Sequence, residues 1–205
     1  MSSGGAIVIR YDSPDHPVNR EIVYFHGRGS NEREAGLALP LFGRANVRSY
    51  RGPLSHGLGF AWFHNSEIGT ALPESLSSET AKVRDWVSAD NGRTLPWLCG
   101  FSNGAAMAAS LLLEDPDKYA GLIMIAGCFA VSDVALAANR LLSKPVLFCR
   151  GQTDEIIPQH KFNQAAAYLN GRSGSRAEVL SYEGGHELPL TIKARVQTWL
   201  KAHDG

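Results

Sequence analysis

Cysteine is scarce: 3 of the 205 residues, and Cys99, Cys128 and Cys149 show neither a CxxC pair nor a Cys/His ligand spacing. The scarcity argues against a disulfide framework and against a structural zinc site. An excess of charge of one sign is lacking too. Lys plus Arg number 20 and Asp plus Glu 20, which leaves no bulk field to hold nucleic acid or an anionic membrane. Long hydrophobic runs are missing as well. The longest, Ala120 to Val131, falls short of the about 20 apolar residues that cross a bilayer. Met1 to Ser13 hold no basic stretch followed by an apolar segment and a cleavage site. The absences together predict a cytoplasmic protein with no membrane span and no nucleic acid partner.

What is present suits one globular domain over residues 1–205. Hydrophobic residues make up 44% and charged ones 20%, enough for a chain of this length to bury a substantial core. Short β-rich runs alternate with longer segments of helical period, a grammar that predicts the α/β class with a mostly parallel sheet flanked by helices. Seven strands are expected: Ala6 to Tyr11, Glu21 to His26, Asn46 to Tyr50, Leu95 to Gly100, Ala120 to Ile125, Pro145 to Arg150 and Ala177 to Tyr182, the last five parallel. Pro14 and Pro17 break the chain between the first two. Helices are expected near Glu32 to Leu41, Leu76 to Ala89, Asn103 to Glu114, His160 to Asn170 and Leu188 to Ala202. In the second, Ala81, Val83, Trp86 and Val87 form an apolar stripe, with Glu79, Lys82, Arg84 and Asp85 on the wet side. Few residues remain for a separate cap domain. Gly52 to Ser75, rich in Gly, His and aromatics, reads as a long loop, and loops of that length are usually functional.

The sharpest motif is Gly100-Phe101-Ser102-Asn103-Gly104, which closes one expected strand and opens a small-residue helix. A serine hydroxyl is a weak nucleophile and needs a base and nearby N–H donors; a turn with glycines two residues either side gives it that access. The bland alternative is a serine that caps a helix. A base and an orienting acid are expected after later strands, in the order Ser, acid, His. Asp154 follows the strand ending at Arg150, and His186 follows Gly184-Gly185 after the strand ending at Tyr182. Ser102, Asp154 and His186 are therefore the candidate catalytic residues, with Glu155 the rival for the acid. The bland alternatives are a helix cap for Asp154 and a solvated loop residue for His186. His16, His56, His64, His160 and His203 lack such a position and read as surface or packing residues.

His26-Gly27-Arg28-Gly29 comes straight after the second strand, where the backbone can approach a ligand. The N–H groups of Arg28 and Asn103 are candidates for an oxyanion hole, with His26 as a buttress. A dinucleotide-binding turn is the rival reading. It fails because Glu32 stands where the third glycine belongs and no acid ends the following strand.

Taken together, His26-Gly27-Arg28-Gly29, Arg51-Gly52-Pro53, Ala61-Trp62-Phe63, Gly100 to Gly104, Asp154 and Gly185-His186 resemble the phospholipase/carboxylesterase family of α/β-hydrolases, over nearly the whole chain. The resemblance implies hydrolysis of a carboxylic ester or thioester with no cofactor and no metal. It matches Ser102 to the nucleophile, Asp154 to the acid, His186 to the base, and Arg28 with Asn103 to the oxyanion donors. Asn103 stands where the family commonly has Gln, and Arg28 where the thioesterase branch usually has an apolar residue. Arg28 points away from a long acyl chain. The expected substrate is a small-molecule ester with a short acyl group, with Trp62, Phe63 and Phe129 as candidate substrate-binding residues and Phe60 and Val131 beside them. Thioester, lactone or carbon–carbon hydrolysis on the same residues, and a non-catalytic ligand-binding protein on a hydrolase scaffold, stand as alternatives. Whether the chain forms a homodimer is left open.

Overall fold

A computed structural model describes residues 6–13, 20–90, 94–131 and 136–204. The expected break at Pro14 and Pro17 lies outside them, as does His16. The centre is a seven-stranded mixed sheet with flanking helices, the α/β-hydrolase architecture. Its strands are β1 (Val8–Tyr11), β2 (Glu21–Phe25), β3 (Asn46–Tyr50), β8 (Trp97–Phe101), β9 (Gly121–Ile125), β10 (Pro145–Gly151) and β11 (Arg176–Tyr182). They lie in the order β1-β3-β2-β8-β9-β10-β11. Only β1 runs antiparallel, against β3; the other six are parallel, so β2 joins the five expected.

Side chains alternate across a strand, and a sheet covered on both faces must be apolar at every position. Val23, Phe25, Leu98, Leu122, Met124, Val146 and Phe148 enter one core. Ile22, Tyr24, Trp97, Cys99, Ile123, Ile125, Leu147 and Cys149 enter the other. Helices α2 (Pro73–Ala89), α3 (Asn103–Glu114) and α4 (Gln159–Ala167) cover the first face. Helices α1 (Ala35–Phe42) and α5 (Lys193–Ala202) cover the second. After β2 the chain turns to one side for β3 and crosses back for β8, so the strand order reverses at β2. In parallel sheets, ligand crevices open at such a reversal, beyond the carboxyl ends of the strands.

The structure redraws three expectations. Gly52 to Ser75 is not an irregular loop: it folds into two hairpins, β4 (Leu54–His56) with β5 (Gly59–Ala61) and β6 (Asn65–Glu67) with β7 (Thr70–Ala71). The pairs are too short for periodicity to reveal. The first and last expected helices each begin with a separate 3-10 turn, Glu32–Glu34 and Leu190–Ile192. Glu79 is buried at 7% exposure rather than wet, because it falls beside Leu76, Thr80 and Val83 on the inner face of α2, and Lys82 pairs with it at 2.7 Å. All three cysteines are buried free thiols. No helix among the described residues is long and apolar enough to cross a membrane.

Candidate active site

Ser102 sits between β8 and α3 with φ 54° and ψ −117°, a combination outside the regions open to L-residues. The turn is tight enough to require both flanking glycines. A Cβ on Gly100 would lie 2.2 Å from the Gly104 carbonyl oxygen, and one on Gly104 would lie 2.1 Å from the Phe25 carbonyl oxygen. Gly104 thus lets α3 press directly on the end of β2. The Ser102 side chain makes no capping bond to α3, so the helix-cap alternative is set aside. Its Oγ lies 2.9 Å from His186 Nε2.

His186 and Asp154 reach Ser102 from the loops after β11 and β10. A Cβ on Gly151 would lie 2.1 Å from the Gly185 carbonyl oxygen, so glycine there lets the two loops touch. The Thr153 N–H donates to the Gly184 carbonyl, and the Tyr182 hydroxyl donates to the carbonyls of Gly185 and Glu187. Burial pushes the Tyr182 phenol well above its usual range, foremost among several causes, which keeps it a hydroxyl donor. Asp154 is 8% exposed, and its two oxygens do different work. Oδ1 accepts the N–H groups of Ile156 and Ile157 at 2.9 and 3.0 Å; Oδ2 lies 2.9 Å from His186 Nδ1. The cap role and the imidazole-orienting role therefore coexist, although the cap closes a turn ahead of Pro158 rather than α4 itself. A carboxylate only accepts, so Nδ1 carries the imidazole hydrogen and Nε2 presents its lone pair to Ser102. Glu155, His56, His64 and His160 are exposed, and His203 packs on Trp199.

The loop after β2 is fixed from several sides. Buried His26 donates from Nδ1 to the Gly27 carbonyl at 2.7 Å and accepts at Nε2 from the Gly52 N–H at 3.0 Å. Its own carbonyl accepts from Trp62 Nε1 at 2.8 Å. Glu34 takes the Gly27 N–H, and the Gly29 N–H donates to the Phe60 carbonyl at 2.8 Å. Glu32, 3% exposed, forms a two-pronged ion pair with Arg51 at 2.6 and 2.8 Å. The hydrogen bond from Arg51 holds the Glu32 carboxyl below its usual range. The first-turn N–H of Asn103 has no partner within α3, as at any helix start. Its side chain is spent elsewhere: Oδ1 accepts the Trp62 N–H at 2.9 Å.

Arg28, Phe63, Ser102, Asn103 and His186 line one cleft of about 520 Å³. Of the three candidate substrate-binding residues, only Phe63 borders it. Trp62 is fully buried, packed against Phe25 and His26, and Phe129 sits edge-on to Tyr168 in the core. Packing turns both aromatics inward, away from the cleft. Phe60 lies under the Arg51 guanidinium. The β6–β7 hairpin supplies wall residues the sequence did not single out, Asn65, Glu67 and Ile68, joined by Cys128, Ile156 and Ile157. The exposure of Ile68 and Ile156, 56% and 51%, belongs to this rim.

Comparisons with known proteins agree with this fold. A model of the phospholipase/carboxylesterase family matches residues 61–204. The putative hydrolase MhqD of Bacillus subtilis (strain 168) is 25% identical over 189 residues, covering 88% of this chain and 92% of that protein. The crystal structure of a Bacillus cereus carboxylesterase superposes with a TM-score of 0.84 at 21% identity, over 98% of this chain and 96% of the other. A Mesorhizobium loti carboxylesterase gives 0.79 at 22% identity, over 90% of each.

Two outcomes test the site's physics. The backbone at Ser102 is strained for any side chain, a cost of about 1–3 kcal/mol that glycine escapes, against about 0.5–1 kcal/mol of extra chain entropy. Ser102→Gly is therefore expected to be about 1 kcal/mol more stable than Ser102→Ala in urea denaturation, the two being alike in losing the hydroxyl. His26 is held in its neutral form, its pKa lowered from 6.5 chiefly by burial. The unfolded chain thus binds the proton first, and the stability His26 contributes is present above pH of about 6.5 and lost as pH falls through the folded value. Urea midpoints between pH 8 and 5 should fall less steeply for His26→Gln than for the parent.

Proposed function

The chain belongs to the phospholipase/carboxylesterase family of hydrolases, and we propose that it is a serine carboxylesterase acting on small esters with short acyl groups. The observation that carries the reading is the run of hydrogen bonds from Asp154 through His186 to Ser102, at 2.9 Å each, opening on a cleft.

In this reading Ser102 Oγ attacks the ester carbonyl carbon as its proton passes to His186 Nε2. The carbonyl oxygen becomes an oxyanion, held by the N–H groups of Arg28 and Asn103; one such donor is typically worth about 3–4 kcal/mol in the transition state. Fixing the loop after β2 in advance is what makes those donors effective, since they need not reorganise during the reaction. The carbon–oxygen bond to the alcohol then breaks, and His186 returns its proton to the departing oxygen. Water attacks the acyl-enzyme, gives a proton to Nε2, and the acid leaves as that proton returns to Ser102. Asp154 keeps the imidazole in the productive tautomer and stabilises its charged form throughout. The chemistry needs only these side chains and water. Phe63 on the cleft wall, with few residues left over for a cap above a long chain, favours a small acyl group.

Ser102→Ala is expected to abolish hydrolysis across p-nitrophenyl esters from acetate to laurate, and labelling by a fluorophosphonate, with circular dichroism unchanged. The parent should peak at the short end of that series. Full activity in the variant overturns the assignment, and a parent that takes no label stands as a binding protein on this scaffold. Asp154→Asn should lower kcat by about 10⁴-fold, read by the same assay; parental activity would pass the acid role to Glu155.

A further inference from the structure

Among the described residues around the cleft, the carboxylates are each met by a cation or by hydrogen-bond donors. Glu32 is held by Arg51, and Glu34 accepts from Tyr24 and the Gly27 N–H. Glu67, on the cleft wall, takes the Thr70 hydroxyl at 2.9 Å and faces Lys161 at 3.7 Å. Asp154 is committed to His186 and two N–H groups. Arg28 differs. Half-buried on the cleft wall beside Ser102, its guanidinium makes one hydrogen bond, from Nη2 to the Phe63 carbonyl at 3.3 Å, and no carboxylate pairs with it among the described residues. Burial alone lowers its pKa, with no opposing charge to offset it.

A guanidinium carries five N–H donors in a planar fork that fits a carboxylate two-pronged. Withdrawing such a group partly from water is unfavourable unless an acceptor meets it. The protein supplies one carbonyl, and the side chain carrying the remaining donors lines the cleft. The neighbouring lining at Phe63 and Ile157 is apolar, which suits a short methylene spacer.

We propose that Arg28 determines specificity by binding a free carboxylate on the substrate, so that the preferred esters are short and anionic. The inference rests on the esterase reading above and adds a substrate class to it. The carboxylate can sit in the acyl half, as in a hemiester of a short dicarboxylic acid, or in the alcohol half, as in an ester of a hydroxy acid. Two substrate pairs separate these sources: monoethyl succinate against ethyl butyrate, and O-butyrylglycolate against propyl butyrate. Each kcat/KM is measured by pH-stat and divided by the rate constant for hydrolysis by hydroxide.

In one of the two pairs the parent is expected to favour the anionic ester by about tenfold or more, the scale of a charge-assisted, partly desolvated contact. Arg28→Met should bring that ratio close to one, and Arg28→Lys should retain part of it, since an ammonium keeps the charge but loses the fork. Preference for the anionic ester in neither pair, or a preference that survives in Arg28→Met, overturns the inference while Ser102-dependent turnover of the neutral esters leaves the esterase reading standing. Absence of Ser102-dependent turnover with every ester is instead failure of that earlier reading. If Arg28→Met does not fold, inhibition of the parent decides: competitive inhibition by succinate well beyond that by succinamide supports the inference, and equal inhibition overturns it.

Discussion

The site depends on how closely bare backbone can approach backbone at the carboxyl edge of the sheet. Gly104 lets α3 meet the end of β2, Gly100 closes the turn under Ser102, and Gly151 brings the Asp154 loop against Gly185 beside His186. A methyl group at any of the three would sit within 2.2 Å of a carbonyl oxygen. Hydrogen bonds of 2.9 Å tolerate little displacement, so the link from Asp154 to Ser102 survives only while these contacts hold.

Around that link, the groups that set His186 and the loop after β2 are held by partners before a ligand arrives. The tautomer of His186 is set by Asp154, Asp154 is set by two N–H groups of its own turn, and the loop after β2 is set by His26, Glu34 and the β4–β5 hairpin. Preorganisation of this kind keeps donors aimed where charge develops. Arg28 is the member of this ring whose charge the protein leaves unanswered. Its main chain and its side chain serve the same cleft in different ways, the N–H toward an oxyanion and the guanidinium toward recognition.

The strained backbone at Ser102 shows where stability has been given up to hold this arrangement, and buried His26 holds its loop only while neutral. Both lie beside the chemistry rather than in the cores, where Leu122 to Ile125 of β9 and Val146 to Cys149 of β10 alternate between the two packed faces.

Local pattern was enough to read the strands and most helices, because burial on both faces writes continuous apolar runs and amphipathic stripes directly into the chain. Ser102 could be singled out from its own turn, whereas Asp154 and His186 were legible only together, by their joint placement after successive strands. Other features had no local signature. The two hairpins within Gly52 to Ser75 are held by contacts with distant loops, Glu79 is buried by its angular place on α2, and Trp62 and Phe129 face the core because neighbouring layers leave them room there. The sequence by itself determined the α/β class, the strand-turn-helix around Ser102 and the chemical identity of the residues able to act. Only the tertiary structure decided which of them meet, which aromatics reach the cleft and which charge is left unpaired, because side-chain direction and partnership are set by elements far apart in the chain.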